Sequence, residues 1–487
     1  MTKILPLTIR AFYCGILPLL LLPGGCKVGP DYTPPEPEPA SVWNEADGTD
    51  SDRFAQGAEI DPEWWTALGD PRLDELIRRA VEENHDIAIA RQRARAARRM
   101  IGVAEAALLP HVGANASSVQ LEFSENFPGL DSFFRLGQLD TRQELYSTTF
   151  DAAWELDFFG GNRRRAEAAE ARAGEAEADR RGAVLTVVAE VARNYVRLQM
   201  IREQADALNR RIGVARERVD LVSEGVESEV LDHVELARAR AGLKALEQRP
   251  PELRAEEAAA LYRLAVLTNR EPAAMFETLA RTPPLPDPPD QVPVGLPGEI
   301  LKRRPDLARA ERELAAATAE IGVATAELYP SFSLTGSAGR QAGTFTDLFE
   351  TASGTWMIVP GIRWPIFQGG RLRAELAAVE EQSEGALLAY RSAVLGAVAG
   401  VESALSRYAR AFESREAAKA ALRQQRNALE LTEAGHRAGV LSGLDQLAAR
   451  DRSLESEQRL IRPRGEVLLA LITLNKELGG GWDLPGE

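Results

Sequence analysis

Two windows of the chain alternate apolar and polar residues with a period of two. From Tyr146 to Phe158 the even positions are Tyr146, Thr148, Phe150, Ala152, Trp154, Leu156 and Phe158, and the odd ones are Ser147, Thr149, Asp151, Ala153, Glu155 and Asp157. From Thr355 to Phe367 the pattern returns, with Trp356, Ile358, Pro360, Ile362, Trp364 and Ile366 on one side and Thr355, Gly361 and Arg363 on the other. Successive side chains of a strand point to opposite faces, so each window predicts a strand with one face for lipid or a core and one for water. Two less regular stretches, His111 to about Phe123 and Ser331 to Arg340, are predicted as their partners, with Phe332, Leu334, Gly336 and Ala338 sharing a face. At about 3.3 Å per residue the two clear windows exceed the roughly 25 Å apolar band of an outer-membrane barrel. A soluble sandwich would use the same alternation.

A longer period follows each strand pair. From Arg163 there is no proline until Pro250, and apolar or small residues recur every seven positions at Val184, Val191, Leu198, Ala205, Ile212 and Val219. Their partners three residues on are Val187, Ile201, Leu208, Ala215 and Val222, with Asn194 as the polar interruption. Such heptads predict a coiled-coil seam. The pattern breaks over Gly225 to Val230, so a helix of about 60 residues, roughly 90 Å long, is expected to turn back into a second helix near Leu231. A similar helix is expected from Arg371 to about Ala438, turning through Gly439 and Gly443. A coiled-coil scaffold would explain the helices and leave the strands unexplained.

The chain is duplicated. Ile101-Gly102-Val103-Ala104 leads to Leu108-Leu109-Pro110 just as Ile321-Gly322-Val323-Ala324 leads to Leu328-Tyr329-Pro330. Phe159, Gly161, Arg163, Arg165, Ala166 and Glu167 are answered by Phe367, Gly369, Arg371, Arg373, Ala374 and Glu375. A third match sets Leu231-Asp232, after Gly225, against Leu444-Asp445, after Gly439. Both halves therefore read helix, strand pair, long helix, glycine turn, helix. A proline-rich crossover from Pro283 to Pro297 separates them and reads as a linker.

Composition narrows the class. The 487 residues carry 58 Lys+Arg against 73 Asp+Glu, a formal charge of −15, which disfavours nucleic acid as a partner. With 45% hydrophobic and 27% charged residues the chain is not a bundle of transmembrane helices. Catalytic chemistry finds little: His85, His111, His233 and His436 lack metal-ligand spacing, and no phosphate-cradling glycine loop follows a strand. Arg163, Arg164 and Arg165 are expected at a polar rim, against lipid phosphates or neighbouring carboxylates. The two cysteines, Cys14 and Cys26, both lie at the N-terminus. There Lys3 and Arg10 precede an apolar stretch from Ala11 to Pro23, too short to span a membrane and suited to a signal peptide. It ends in Leu22-Pro23-Gly24-Gly25-Cys26, which resembles the bacterial lipobox, with Pro23 in place of the usual leucine. Cys26 is thus expected to carry a covalent lipid, and Lys27 after it favours the outer membrane. The Pro/Glu-rich tract through Pro39 reads as an extended tether.

Cys26-Lys27-Val28-Gly29-Pro30-Asp31-Tyr32, Trp154-Glu155-Leu156-Asp157-Phe158-Phe159-Gly160 and the run from Gly295 to Leu307 (GLPGEILKRRPDL) together resemble the TolC-like outer-membrane factors, in their NodT-like lipoprotein branch. The resemblance covers essentially the whole mature chain. It implies a mainly α fold with membrane β: a homotrimer whose chains each give four strands to a twelve-stranded β-barrel in the outer membrane and long helices to a coiled-coil α-helical barrel in the periplasm. It implies an exit channel of a tripartite efflux pump, fed by an inner-membrane transporter, of RND type, through a periplasmic membrane-fusion adaptor. The duct itself is expected to perform no chemistry and to need no cofactor or metal beyond the lipid on Cys26.

The same resemblance assigns the site residues. Tyr146, Phe150, Trp154, Leu156, Trp356, Ile358, Ile362 and Trp364 would face lipid; Gly225, Ser228, Leu231, Arg437, Gly439, Ser442 and Leu444 would form adaptor-binding tips; Asp445 and Asp232 would ring the periplasmic aperture. A second acidic position found in some relatives is Ala448 here. The expected division is a signal peptide over 1–25, a lipidated tether over 26–60, a first repeat over 61–282, the crossover over 283–298, a second repeat over 299–478 and a tail over 479–487. A type I protein-secretion duct would share this fold, and a periplasmic adaptor would share the hairpin and the lipid, with one hairpin in place of two.

Overall fold

The structure, a computed structural model, describes residues 26–35, 41–46, 51–124, 128, 136 and 140–483. The expected signal peptide, residues 36–40 of the tether and most of the first strand-pair loop lie outside the described residues. In chain order the elements are β1 (Phe54–Gln56), α1 (Pro71–Glu83), α2 (His85–Ala106), β2 (His111–Glu122), β3 (Arg142–Leu156), α3 (Gly161–Glu227), α4 (His233–Glu247), α5 (Arg249–Leu267), α6 (Pro272–Thr278), β4 (Val292–Gly295), α7 (Pro297–Arg303), α8 (Pro305–Ala326), β5 (Ser331–Ala342), β6 (Gly354–Arg363), α9 (Arg371–Arg437) and α10 (Gly443–Glu477). The described residues fall into two compact units, the first drawn from those within 26–34, 96–173 and 312–388, the second from those within 35–95, 174–311 and 389–483.

The first unit holds a four-stranded antiparallel sheet in the order β2-β3-β5-β6. Its register puts Val112 opposite Ala152, Phe150 opposite Ala338, and Ala338 opposite Trp356. Even-numbered residues therefore share one face through all four strands. Among the described residues the outer strands β2 and β6 have no partner on their far sides. β6 stops at Arg363, four residues before the alternation does, so Trp364 and Ile366 lie beyond the strand. Pro365 explains the stop: it has no N–H for the ladder, and the two-glycine turn at Gly369-Gly370 then leads into α9.

The second unit has its core among Trp43, Trp64, Trp65, Leu73, Ile77, Tyr195, Leu198, Leu261, Leu264, Leu471 and Ile472. α1 begins at a capping signal: Asp70 accepts from the Arg72 N–H at 3.0 Å and Pro71 takes the first helical position. The heptad seam of α3 is buried at Val184, Val191, Leu198 and Ile212. Asn194 sits in it at little cost, because its side-chain amide donates to the Glu190 carbonyl at 2.7 Å.

Two stretches expected to be linkers are packed. Trp43, in the expected tether, is 1% exposed, and its indole N–H donates to the Val294 carbonyl at 3.2 Å. Phe54 and Ile60 join the same core, and β1 pairs in parallel with β4 of the expected crossover. Proline and acidic residues are frequent in those stretches, yet a single tryptophan or a Val-x-Val pair supplies enough apolar area to anchor them.

Candidate functional site

Three features of the structure carry the sequence-derived site residues. The first is the sheet. Phe150, Trp356, Ile358 and Ile362 lie on its even-numbered face and are exposed, Trp356 to 75%. Tyr146, Trp154 and Leu156 are on the same face and half-buried, with Tyr146 edge-on to Phe345. The opposite face carries Ser147, Thr149, Asp151, Glu155, Ser333, Thr335, Ser337 and Thr355, although Met357 and Val359 also point that way. Trp154 and Trp364 make the same contact in each half: the first indole N–H donates to the Leu108 carbonyl at 2.9 Å, the second to the Leu328 carbonyl at 3.3 Å. Trp364 is thus the duplicate of Trp154, held at the strand foot although outside the ladder.

The second feature is a docked N-terminal strap in the same unit. The Val28 N–H donates to the Phe159 carbonyl at 3.0 Å, directly after β3. Arg164, its side chain 2% exposed, donates to the carbonyls of Val28 and Gly29 and pairs with Glu167 and Asp31 at 2.8 and 3.0 Å. Gly29 lies so close to Gly322 that a Cβ at Gly29 would fall 2.5 Å from the Gly322 Cα, and its φ of +83° also excludes a side chain. Lys27 pairs with Asp31 and Glu167. Hydrogen bonds from Lys27 and Arg164 hold the Asp31 carboxyl below its usual range. Burial pushes Glu167 up, but the same two cations outweigh it and the net shift is downward. Cys26 is exposed beside this clamp. The arginine cluster therefore meets carboxylates, as one of the two expectations had it: Arg163 pairs with Asp157 at 3.1 Å and Arg165 with Glu327 at 3.8 Å. The strap's docking on Arg164 had no sequence signal beyond the presence of both motifs.

The third feature is a pair of helical turns in the second unit. α3 runs through Gly225 to Glu227, and the N–H groups of Val230 and Leu231 both donate to the Gly225 carbonyl. At the end of α9 the N–H groups of Val440 and Leu441 both donate to the Gly435 carbonyl. The left-handed residue is Glu229 in the first turn and Gly439 in the second. The two turns are therefore the same motif, with Gly225 equivalent to Gly435, Leu231 to Leu441, Asp232 to Ser442 and Glu235 to Asp445. This corrects the sequence alignment, which set Gly225 against Gly439 and Asp232 against Asp445. A doublet of leucine and aspartate occurs in both tips, but hydrogen bonding, not that doublet, fixes their register.

The correction changes the acidic residues' roles. Asp232 is an N-cap accepting from the Glu235 N–H at 2.8 Å. Ser442 is the other N-cap, and Asp445 completes a capping box, its Oδ2 accepting from the Ser442 N–H at 3.0 Å and hydroxyl at 2.6 Å. Those bonds, the hydroxyl's first, hold the exposed Asp445 carboxyl below its usual range. Glu235, absent from the sequence-derived set, occupies the matching position; the spacing Asp-x-x-Glu was its signal. Ser228 is exposed and donates to the Glu224 carbonyl, Arg437 donates to the Glu433 carbonyl, and Leu444 packs against the cluster of Val222, Leu236 and Ala239. No His/Cys/Asp/Glu group able to hold a metal occurs among the described residues.

Comparison with known proteins matches this architecture. The family model described as outer membrane efflux protein matches twice, over residues 76–270 and 296–480. The chain is similar to the pyoverdine export outer membrane protein OpmQ of Pseudomonas putida, at 31% identity over 87% of this chain and 88% of the relative. It is also similar to the toluene efflux pump outer membrane protein TtgC of Pseudomonas putida, at 29% identity over 94% and 93% of the two chains. Among solved structures, the outer-membrane channel OprN aligns with a TM-score of 0.85 at 30% identity, over 94% of this chain and all of that one.

Proposed function

Since the chain belongs to the outer membrane efflux protein family, it is an efflux channel of the outer membrane, a transport protein, and we propose that it acts as a homotrimeric exit duct of a tripartite pump. The observation that carries this reading is the sheet, its large exposed apolar residues gathered mainly on the even-numbered face, polar residues prevailing on the other, and β2 and β6 unpaired at their outer edges among the described residues. An unpaired edge in hydrocarbon is prohibitive, and four strands cannot enclose a channel, so three copies would close twelve strands with the even-numbered face toward lipid. The long helices would line a periplasmic barrel.

The pump names of the relatives support passage of small molecules as part of a pump; its inner-membrane transporter, of RND type, would deliver them through a periplasmic adaptor. The two turns around Gly225 to Leu231 and Arg437 to Leu444 would meet that adaptor, because both are exposed and built alike. Asp445, with Asp232 and Glu235, would ring the aperture; repeated carboxylates near a narrow axis repel one another and concentrate cations. Cys26, exposed next to the strap bound at the foot of β3, would insert its lipid in the leaflet reached by that foot. The test is planar-bilayer conductance of the detergent-extracted, outer-membrane-fractionated protein, with its mass measured in the same sample. Trimers that conduct with a cation preference are expected, and Asp445→Ala should raise the single-channel conductance. A soluble, non-conducting monomer would overturn the duct; an unchanged conductance and selectivity in the variant would remove Asp445 from the aperture.

A further inference from the structure

Away from the foot at Trp154, the even-numbered face of the sheet stops being apolar at a defined level. On β3 the last ring is Tyr146, with Glu144 and Arg142 beyond it, and on β2 the last small apolar residue is Ala116, with Ser118, Gln120 and Glu122 beyond it. On β5 the apolar run is interrupted lower down: Arg340 stands on the same face opposite Thr148, one row past Phe150, Ala338 and Trp356. A cation on a lipid-facing surface is costly at depth, so the destination of this guanidinium is informative. Its Nη1 donates to the Phe349 carbonyl at 2.6 Å and to the Leu348 carbonyl at 3.4 Å. The loop between β5 and β6 has therefore bent back over the even-numbered face. Phe345 shows the same side: its ring stands edge-on to Tyr146 with centroids 5.8 Å apart, and Phe349 stands edge-on to Phe345 at 5.5 Å. Leu348 is buried, while Phe345 and Phe349 are 59% and 67% exposed.

We propose that residues 343–353 form a flap seated in the outer leaflet, at the end of the sheet opposite that foot, with Phe345 and Phe349 inserted just below the headgroups and Arg340 holding the flap to the sheet. This rests on the reading above that the even-numbered face meets lipid, and adds a second lipid contact to it. The occupant follows from continuity, since the two phenyl rings carry the surface of Tyr146 outward ring against ring. The loop's backbone is suited to the place, because polar groups at the edge of a bilayer must find partners within the protein. Two 3₁₀ turns, Asp347–Phe349 and Thr351–Ser353, take up the N–H groups of Phe349, Glu350 and Ser353 on the carbonyls of Thr346, Asp347 and Glu350. The Asp347 N–H donates to the Thr344 hydroxyl, and the Ser353 hydroxyl donates to the Asp347 carbonyl. Asp347 and Glu350 set the depth: carboxylates stay with headgroups and water, so the rings dip into the interface and stop short of the bilayer centre.

Nitroxide labels on the full-length protein in phosphatidylcholine vesicles test this, read as the ratio of collisions with oxygen, which enters lipid, to collisions with a nickel chelate, which stays in water. The unsubstituted protein, labelled in parallel, corrects for Cys14 and Cys26. Labels at Phe345→Cys and Phe349→Cys should give ratios several-fold above that of Ser337→Cys, on the polar face, and below that of Ile358→Cys, on the lipid face. Adding Arg340→Ala to Phe349→Cys should make the label more mobile and bring its ratio toward that of Ser337→Cys; an unchanged spectrum and ratio would overturn the part given to Arg340. Ratios equal to that of Ser337→Cys at both loop positions, with the Ile358→Cys label in lipid, would overturn the flap alone. Loop labels reached by neither reagent would seat the rings against another protein surface and overturn lipid as their occupant. An Ile358→Cys label in water would overturn the lipid-facing reading itself.

Discussion

Arg164 has lost its water and replaced it with two carbonyls and two carboxylates, all supplied by α3 and the strap. Removing one partner of such a buried arrangement leaves the others unpaired, which typically destabilises by about 3–5 kcal/mol. Arg164→Ala should therefore free residues 27–32, read as faster amide exchange at Val28, with the sheet retained. Acid should do the same by another route. Asp31 and Glu167 titrate below their usual 3.8 and 4.5, so the bound strap is favoured in full above those values and loses that support as the pH falls through the lowered ones. Val28 exchange, referred to a fully exposed amide, should be insensitive between pH 8 and 6 and should accelerate only below about 4. A steady rise across the neutral range would assign the clamp to other groups.

At the scale of elements, the turn after α3 places a glutamate where the turn after α9 has glycine. A non-glycine residue in the left-handed region is disfavoured by about 1 kcal/mol, so Glu229→Gly should slow exchange of the Val230 and Leu231 amides by about fivefold. Unchanged exchange would mean that the turn opens by another path. The period-two pattern made two strands legible and the period-seven pattern the first long helix, because an element that buries one face repeats its apolar residues at its own period; the other two strands and the second long helix followed from the duplication. The ends were less legible. Pro365 stopped β6 against its own alternation, and the tips were aligned on a leucine-aspartate doublet that the backbone does not treat as equivalent. Of the site residues, the exposed apolar face could be read from spacing; Glu235 and the hold of Arg164 on the strap depend on contacts that a linear pattern does not record.

For the whole molecule, the informative residue is Trp43. Its side chain closes the core of the second unit far from its place in sequence, and Trp43→Ala should lower that unit's stability by about 3–5 kcal/mol, seen as a lower thermal midpoint in detergent. An unaltered midpoint would return residues 41–60 to the status of a tether. The same position also sets an order of events. Trp43 bonds to Val294, 251 residues later, and the backbone of Asn44 to Glu402, 358 residues later. Contacts over such separations close late, because the intervening chain must first give up its freedom. Among the first parts of the described chain to be made, this segment is thus among the last to find its seat, and a chain cut short before Val294 lacks the carbonyl that Trp43 bonds.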